Sequence, residues 1–415
     1  MQQDDRHSYY LYNKKLSAIL LTLTIIATQV GGGMIIGVAD AAYEMGIAGL
    51  FYPIGIIIGL LIIGLGLGDI LKKADVPTIS AVFDKKYQFP AARKFASIIS
   101  SISLFSITIA QGVAIRHLLH GIGLFSTWYF ILLWMCIIVY TSLGGIKIVV
   151  RTNVIQILFI TTSLAILLYS SISNVDFTTV NFGNANISNY YSVLEWLIWP
   201  CCYTLIEQDM AQLFFSAKSS DAVKKSAIIA AVCIMILAVV PAFIGIIAQS
   251  QLGTHPQGVL LFFARNNLTP VIYTLTALAV ILAITSTVDS LLCAISSNVA
   301  YDFSIPRLNN KYFSSDMMIT FIVGISSLIL IYYCENVINV IMFSYGLCVS
   351  GLFVPSIFGF LLPKSVLKKS AAIFSTAAGI ISFIILLIFG SQFTYFAILI
   401  SACAYFLPLI IRQKT

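Results

Sequence analysis

Ile25-Ile26-Ala27-Thr28-Gln29-Val30-Gly31-Gly32-Gly33-Met34-Ile35-Ile36 sits inside an apolar run that begins near Leu16. Three consecutive glycines at mid-run favour unwinding of a helix. Backbone freed at membrane depth is tolerated only where it lines a cavity or is buried in protein. The flanks decide that this is membrane depth. The chain has 415 residues, of which 59% are hydrophobic and only 9% charged. A soluble domain carries about 25% charged residues. The mean hydropathy is +0.98. A cytosolic enzyme, a disordered chain and a usual nucleic-acid binder are excluded, and about 245 apolar residues leave room for about twelve spans of ~20.

Apolar runs lie near 16–38, 47–71, 94–115, 122–140, 153–173, 191–215, 226–249, 270–298, 316–334, 337–362, 371–389 and 393–411. They do not alternate apolar with polar, as barrel strands would. The expectation is an all-α polytopic membrane protein with about 12 transmembrane helices. With both termini on one face, 21 of the 23 Lys and Arg fall on that face, leaving only Arg116 and Arg265 on the other. This asymmetry puts both termini in the cytoplasm and supports an even number of spans. The first run follows Arg6, Lys14 and Lys15 but has no small-residue cleavage site, so it reads as a true span rather than a signal peptide. The organisation is a cytoplasmic tail (1–15), two five-helix halves (16–173 and 191–362), two further helices (371–411) and a second tail (412–415). The polar segments Asn174 to Tyr190 and Gln251 to Thr269 are outer connections or lids.

Span six contains Trp199-Pro200-Cys201-Cys202, where proline removes a helix hydrogen bond. Breaks at corresponding positions of two halves point to a transporter binding site. Trp196, Trp199 and Tyr203 are suited to stack on a sugar or cage a quaternary amine. Span eight carries Thr285-Ser286-Thr287-Val288-Asp289-Ser290. A carboxylate in an apolar run is expensive unless paired or coordinating. Hydroxyls, carbonyls and carboxylates are hard donors suited to a small hard cation. Ala27 lies about eleven residues from the inner end of its span and Ser286 about twelve from that of its own, so the two match in depth.

Glu207 and Asp209, near the inner end of span six beside Lys218, read as gate or interface charges. Arg116 and His117 end span three, either snorkelling or attracting an anion. The histidines at 7, 117, 120 and 255 form no triad or metal spacing, which weighs against an intramembrane enzyme. The eight cysteines read as buried hydrophobes; Cys201-Cys202 is a redox pair only as the weaker reading.

The chain resembles the sodium/solute symporter family of proline, sugar, pantothenate and sialic acid carriers. The likeness is carried by Ala27 to Gly33 with Tyr43 and Gly46, by Tyr140-Thr141-Ser142-Leu143-Gly144-Gly145-Ile146-Lys147 leading to Thr152-Asn153-Val154-Ile155-Gln156, by Gln208-Asp209 with Gln212, and by Ser286 to Leu292 with Asp302. Gly351 to Pro355 adds a weaker match. The resemblance implies a LeuT-type 5+5 inverted repeat followed by two extra helices. It implies a sodium site made by the carbonyls of Ala27, Val30 and Ala283 with the hydroxyls of Ser286 and Thr287. The solute would lie between the two breaks, against Gln29, Gly31, Gly32, Gly33, Gln111, Trp199, Tyr203 and Tyr345. Family members usually carry one more helix before the core; its lack here agrees with an inside N-terminus. Where relatives carry Thr-Asp near the start of the fifth helix, this chain has Thr152-Asn153, so a conventional second sodium site loses its charge. Asp289, Ser290 and Asn153 form an alternative second ion or proton site, beside a structural role for Asp289.

The expected function is sodium-coupled symport of a small organic solute (amino acid, sugar or carboxylate-like) across the inner or plasma membrane by alternating access. Sodium is the only metal and there is no other cofactor, no nucleic acid and no obligate protein partner besides the bilayer. Two readings stay open: proton coupling through Asp289, and a carrier-like sensor that binds without transport.

Overall fold

The structure is a computed structural model describing residues 2–124, 126–174, 190–251, 258–306, 314–334, 337–390 and 393–411. Its helices begin with α1 (Gln2–Tyr10), α2 (Ala18–Gln29), α3 (Val38–Met45), α4 (Phe51–Ile62), α5 (Gly68–Ala74) and α6 (Ala81–Tyr87). Then come α7 (Pro90–Gly121), α8 (Thr127–Asn174), α9 (Tyr190–Thr204), α10 (Gln208–Ser216), α11 (Ser220–Gln251) and α12 (Val259–Asn267). The last six are α13 (Pro270–Asp302), α14 (Ser315–Ile331), α15 (Val337–Cys348), α16 (Val354–Leu361), α17 (Lys369–Ile388) and α18 (Phe396–Ile411). Among the described residues the only β pairing is one bridge, Leu16 to Ala217. It ties the entrance of α2 to the exit of α10, through Leu16 N–H on the Ser216 carbonyl (3.0 Å) and Lys218 N–H on the Leu16 carbonyl (2.8 Å).

Seven described stretches are long and apolar enough to cross a membrane, and Ala18–Gln29, Ser315–Ile331 and Phe396–Pro408 are shorter apolar helices. The protein is a multi-pass membrane protein. The boundaries differ from the sequence expectation in places. The runs 122–140 and 153–173 join in α8, which turns at Gly145 (φ 54°, ψ −155°). That backbone is open to glycine, and the Tyr9 carbonyl lies 2.7 Å from where a Cβ would be. Serines and threonines inside the spans mostly bond back to their own helix, such as Thr24 to the Leu20 carbonyl (2.7 Å) and Thr108 to Leu104 (2.9 Å).

Helix α13 is central: 83% of its apolar window is buried, against 33% for α17. It packs on α7 and α8, while α17 and α18 pair with each other through Ser375 and Ser401 (2.9 Å). Helix α1 docks beneath α13 and α14: Arg6 pairs with buried Asp316 (3.0 Å) and donates to the Ala300 and Ile305 carbonyls. At the same basic end, Lys14 sits beside Asp75 and holds its carboxyl below the usual range. The expected outer segments are described only in part, and residues 175–189 and 252–257, His255, Arg307, Lys311 and the tail 412–415 lie outside the described residues, as does the side chain of His120.

Candidate ion and solute site

The first break lies where the glycines put it. Helix α2 ends at Gln29, Val30 takes φ −84° and ψ 66°, and a π-helical turn over Gly33–Gly37 leads into α3. The glycines are required by close approach as well as by unwinding. A Cβ at Gly31 would run into the Thr287 hydroxyl, and one at Gly32 would lie 2.7 Å from Ala114 Cβ and 2.8 Å from Gln111 Oε1. The Gln111 side chain on α7 uses that proximity and accepts the Gly32 N–H at 2.8 Å.

Opposite the break stands α13. Ser286 donates to the Ala27 carbonyl (2.7 Å) and lies 2.8 Å from the Ala283 carbonyl. Thr287 donates to the Thr28 carbonyl (2.8 Å) and reaches the Ala283 carbonyl at 3.2 Å. Four of the five expected sodium ligands, Ala27, Ala283, Ser286 and Thr287, are thus brought together. Val30 is fully buried at the break itself, its non-helical ψ turning its carbonyl out of the α2 register. This is a cluster of hard oxygens spanning two helices. Among the described residues no group of three or more His, Cys, Asp and Glu has metal-site geometry.

Asp289 is fully buried one turn further along α13. It accepts from the Tyr140 hydroxyl (2.9 Å) and from Ser290 (3.4 Å), with Thr152 also beside it. Ser290 in turn meets Thr28 at 2.9 Å, so Asp289 connects through one hydroxyl to the broken helix. Asn153 is fully buried, and neither of its amide atoms has a hydrogen-bond partner. Thr152, rather than its neighbour Asn153, joins Tyr140 from α8 at Asp289.

The second break is displaced from its expected place. Pro200 stays inside α9, which continues to Thr204; the chain unwinds at Leu205 to Glu207 and resumes as α10. Pro200 has no N–H to donate, but the helix tolerates the loss and runs on to Thr204, whose hydroxyl donates to the Pro200 carbonyl (2.8 Å). Glu207 has extended backbone (φ −63°, ψ 127°) and its side chain turns inward. Gln29 from the first break donates to Glu207 at 3.0 Å, so the two breaks touch.

A central cavity of about 20 Å³ lies between them. Its walls include Thr28, Gln29, Gly31, Gly33, Gln111 and Tyr345. That volume holds about one water or a small ion, so an organic solute enters only if the walls part. Gly32 joins through Gln111, and Tyr203 joins by stacking on Tyr345 (4.1 Å between centroids). Trp199 does not join: it packs edge-on against Phe383 of α17 (5.8 Å) and is absent from the cavity wall. Sequence reasoning missed Tyr52, whose hydroxyl lies 3.5 Å from that of Tyr345, and misplaced Glu207 and Asp209, which line the cavity rather than gate its edge. A carboxylate in a run of otherwise apolar residues was the available signal. Arg116 serves structure: it donates to the Ile331 and Cys334 carbonyls at the end of α14.

Comparison with known proteins identifies the fold and the family. A solved structure of a Na+-coupled sialic acid symporter, described as substrate-bound and outward-open with a novel Na+ site, superposes with a TM-score of 0.77 at 19% identity, covering 97% of this chain and 91% of that one. Mhp1, a nucleobase-cation-symport-1 family transporter in a closed conformation with bromovinylhydantoin bound, gives 0.68 at 12% identity over 98% and 94%. MhsT in complex with L-phenylalanine gives 0.63 at 17% over 96% and 98%. The fold is therefore LeuT-type. In sequence, the chain is 24% identical over 250 residues to the high-affinity choline transporter 1 of Caenorhabditis elegans, covering 58% of this chain and 43% of that protein. It is 29% identical over 163 residues to the sodium/glucose cotransporter of Vibrio parahaemolyticus, covering 38% and 29%. The matches thus span less than half the length of these curated relatives. The profile of the sodium:solute symporter family matches residues 9–371, and the chain belongs to that family.

Proposed function

We propose that the protein is a sodium-coupled secondary symporter that imports a small organic solute by alternating access. The observation that carries this reading is the convergence of Ala27, Ala283, Ser286 and Thr287 oxygens between a broken helix and α13. An ion bound there ties α2 to α13 and favours the solute-competent state by differential affinity. Residues 16–173 and 191–362 act as two five-helix repeats, with 371–411 as accessory helices. The chain lies in the cell membrane with both termini cytoplasmic, a topology supported by the one-sided Lys and Arg distribution. Val30 completes the sodium site. Gln29, Gly31, Gly32, Gly33, Gln111, Tyr203 and Tyr345 form the solute site, with Tyr52, Glu207 and Asp209 added and Trp199 removed.

The test is thermal stability of the purified protein in lipid nanodiscs against sodium, with potassium at equal ionic strength as the control. The expected result is a saturable rise in Tm with sodium alone. Equal responses to both cations would overturn sodium coupling.

A second reading, proton coupling through Asp289, is favoured by one observation: this buried carboxylate is held by hydroxyls, and among the described residues it forms no ion pair with Lys or Arg. A Tm that ignores sodium but follows pH would select it.

A further inference from the structure

The charge of the central cavity wall points to the solute. Among the lining residues Glu207 and Asp209 are acidic and none is Lys, Arg or His. Both are almost wholly buried, with residue exposures of 5% and 3%. They lie within hydrogen-bonding reach of each other. Two carboxylates so close repel unless a proton or a cation comes between them. Their other partners are few. Glu207 receives Gln29 at 3.0 Å. Asp209 sits in the first turn of α10 beside the Met210 N–H. Its Oδ1 is buried with no partner.

The nearby cations are engaged or turned outward. Lys72 donates to the Phe215 carbonyl, Lys224 pairs with Asp69, and Lys218 is exposed. The rest of the wall mixes neutral polar side chains (Thr28, Gln29, Gln111 and Thr287) with aromatic and apolar ones. Tyr52 and Tyr345 stack at 6.4 Å between centroids, and Ile107, Leu291 and Ile341 fill the sides. An organic ammonium or guanidinium gains from the carboxylates, the ring faces and the apolar contact together. A carboxylate-bearing solute would face two acidic side chains and no basic one in this wall.

We infer that the solute of this site is a small organic cation, recognised by Glu207 and Asp209 and enclosed by Tyr52 and Tyr345. This deepens the symporter reading and rests on it. It is narrower than the amino acid, sugar or carboxylate-like solute expected from the sequence.

The experiment measures thermal shifts of the protein in nanodiscs, once in sodium and once in potassium. The probes are choline, ethanolamine, the uncharged isostere of choline with carbon in place of nitrogen, glucose and sialic acid. The expected result is a saturable shift with a cationic probe and none with the isostere, glucose or sialic acid. Glu207→Gln should weaken the apparent affinity about tenfold or more. Asp209→Asn should do the same and serves if the first variant does not fold. A shift with glucose or sialic acid while the cations stay silent overturns the inference. So does a cation shift untouched by both substitutions, or no shift with any probe while sodium alone still stabilises the protein. Failure of the symporter reading shows separately, as loss of the sodium-only response in the wild type.

Discussion

The Ser286 hydroxyl donates to the Ala27 carbonyl at 2.7 Å, although 259 residues separate them in sequence. Thr287 repeats the relationship one residue on, to Thr28 at 2.8 Å. Two adjacent hydroxyls of α13 thus face two adjacent carbonyls where α2 loses its regular partners. Ser286→Ala with Thr287→Ala removes both hydroxyl ligands and both interhelical bonds. The sodium needed for half-maximal stabilisation should rise about tenfold or more, with a sodium-free loss of about 1–3 kcal/mol. Titrating Tm with sodium checks this, and an unchanged midpoint sinks the ion-site assignment.

Gly31 is the tightest point of that contact. A Cβ there collides with the Thr287 hydroxyl and lies 3.2 Å from Gln111 Oε1. Gly31→Ala should push α2 away from α13, lowering Tm and weakening the sodium response together. The substitution adds one methyl and removes no ligand, so it tests spacing rather than chemistry. A variant with wild-type Tm and sodium midpoint would show that the helices have slack the structure does not display.

The sequence made much of this legible because membrane physics is restrictive. Glycines in an apolar run, hydroxyls on another and Lys on one side leave few arrangements; depth matching set Ala27 against Ser286, the family resemblance added Ala283 and Thr287, and the four meet. The second break was harder. Pro200 is the louder signal, yet it stays helical and the chain opens at Leu205 to Glu207, where no residue type marks a break. The facing of Trp199 toward Phe383 is a matter of helix rotation, which spacing alone does not fix when a span is apolar all round. Tyr52 was unreadable for the same reason, since α4 is apolar on every face.

Tyr140 should matter through Asp289 alone. Its hydroxyl donates to Asp289 Oδ2 at 2.9 Å from a different helix. Tyr140→Phe leaves a buried carboxylate with one donor fewer and should cost about 1–3 kcal/mol. Asp289→Asn keeps a polar partner for Tyr140. If sodium is the coupling ion of the main site, both variants should lower Tm yet retain a sodium-specific shift. Loss of a pH-dependent stabilisation in Asp289→Asn, with no sodium shift in the wild type, would move the coupling role to Asp289.

Arg93 on α7 and Asp302 at the end of α13 join at 2.8 Å, with Thr78 also donating to Asp302 at 2.7 Å. The Asp302 side chain is fully buried and that of Arg93 is 21% exposed. Helix α7 carries Gln111 and α13 carries Ser286 and Thr287, so this pair clamps at the basic end the two helices that wall the site. Arg93→Ala strands a buried carboxylate and should cost about 3–5 kcal/mol. Adding Asp302→Asn should recover part of that, because the stranded charge is gone. Alternating access requires one end of the site to part. If this clamp holds that end shut, Arg93→Ala should also raise maleimide labelling of Cys293 and Cys348, which are buried in the intact protein. Site-resolved mass spectrometry reads both thiols. Destabilisation with no gain in labelling would make the pair a plain structural contact.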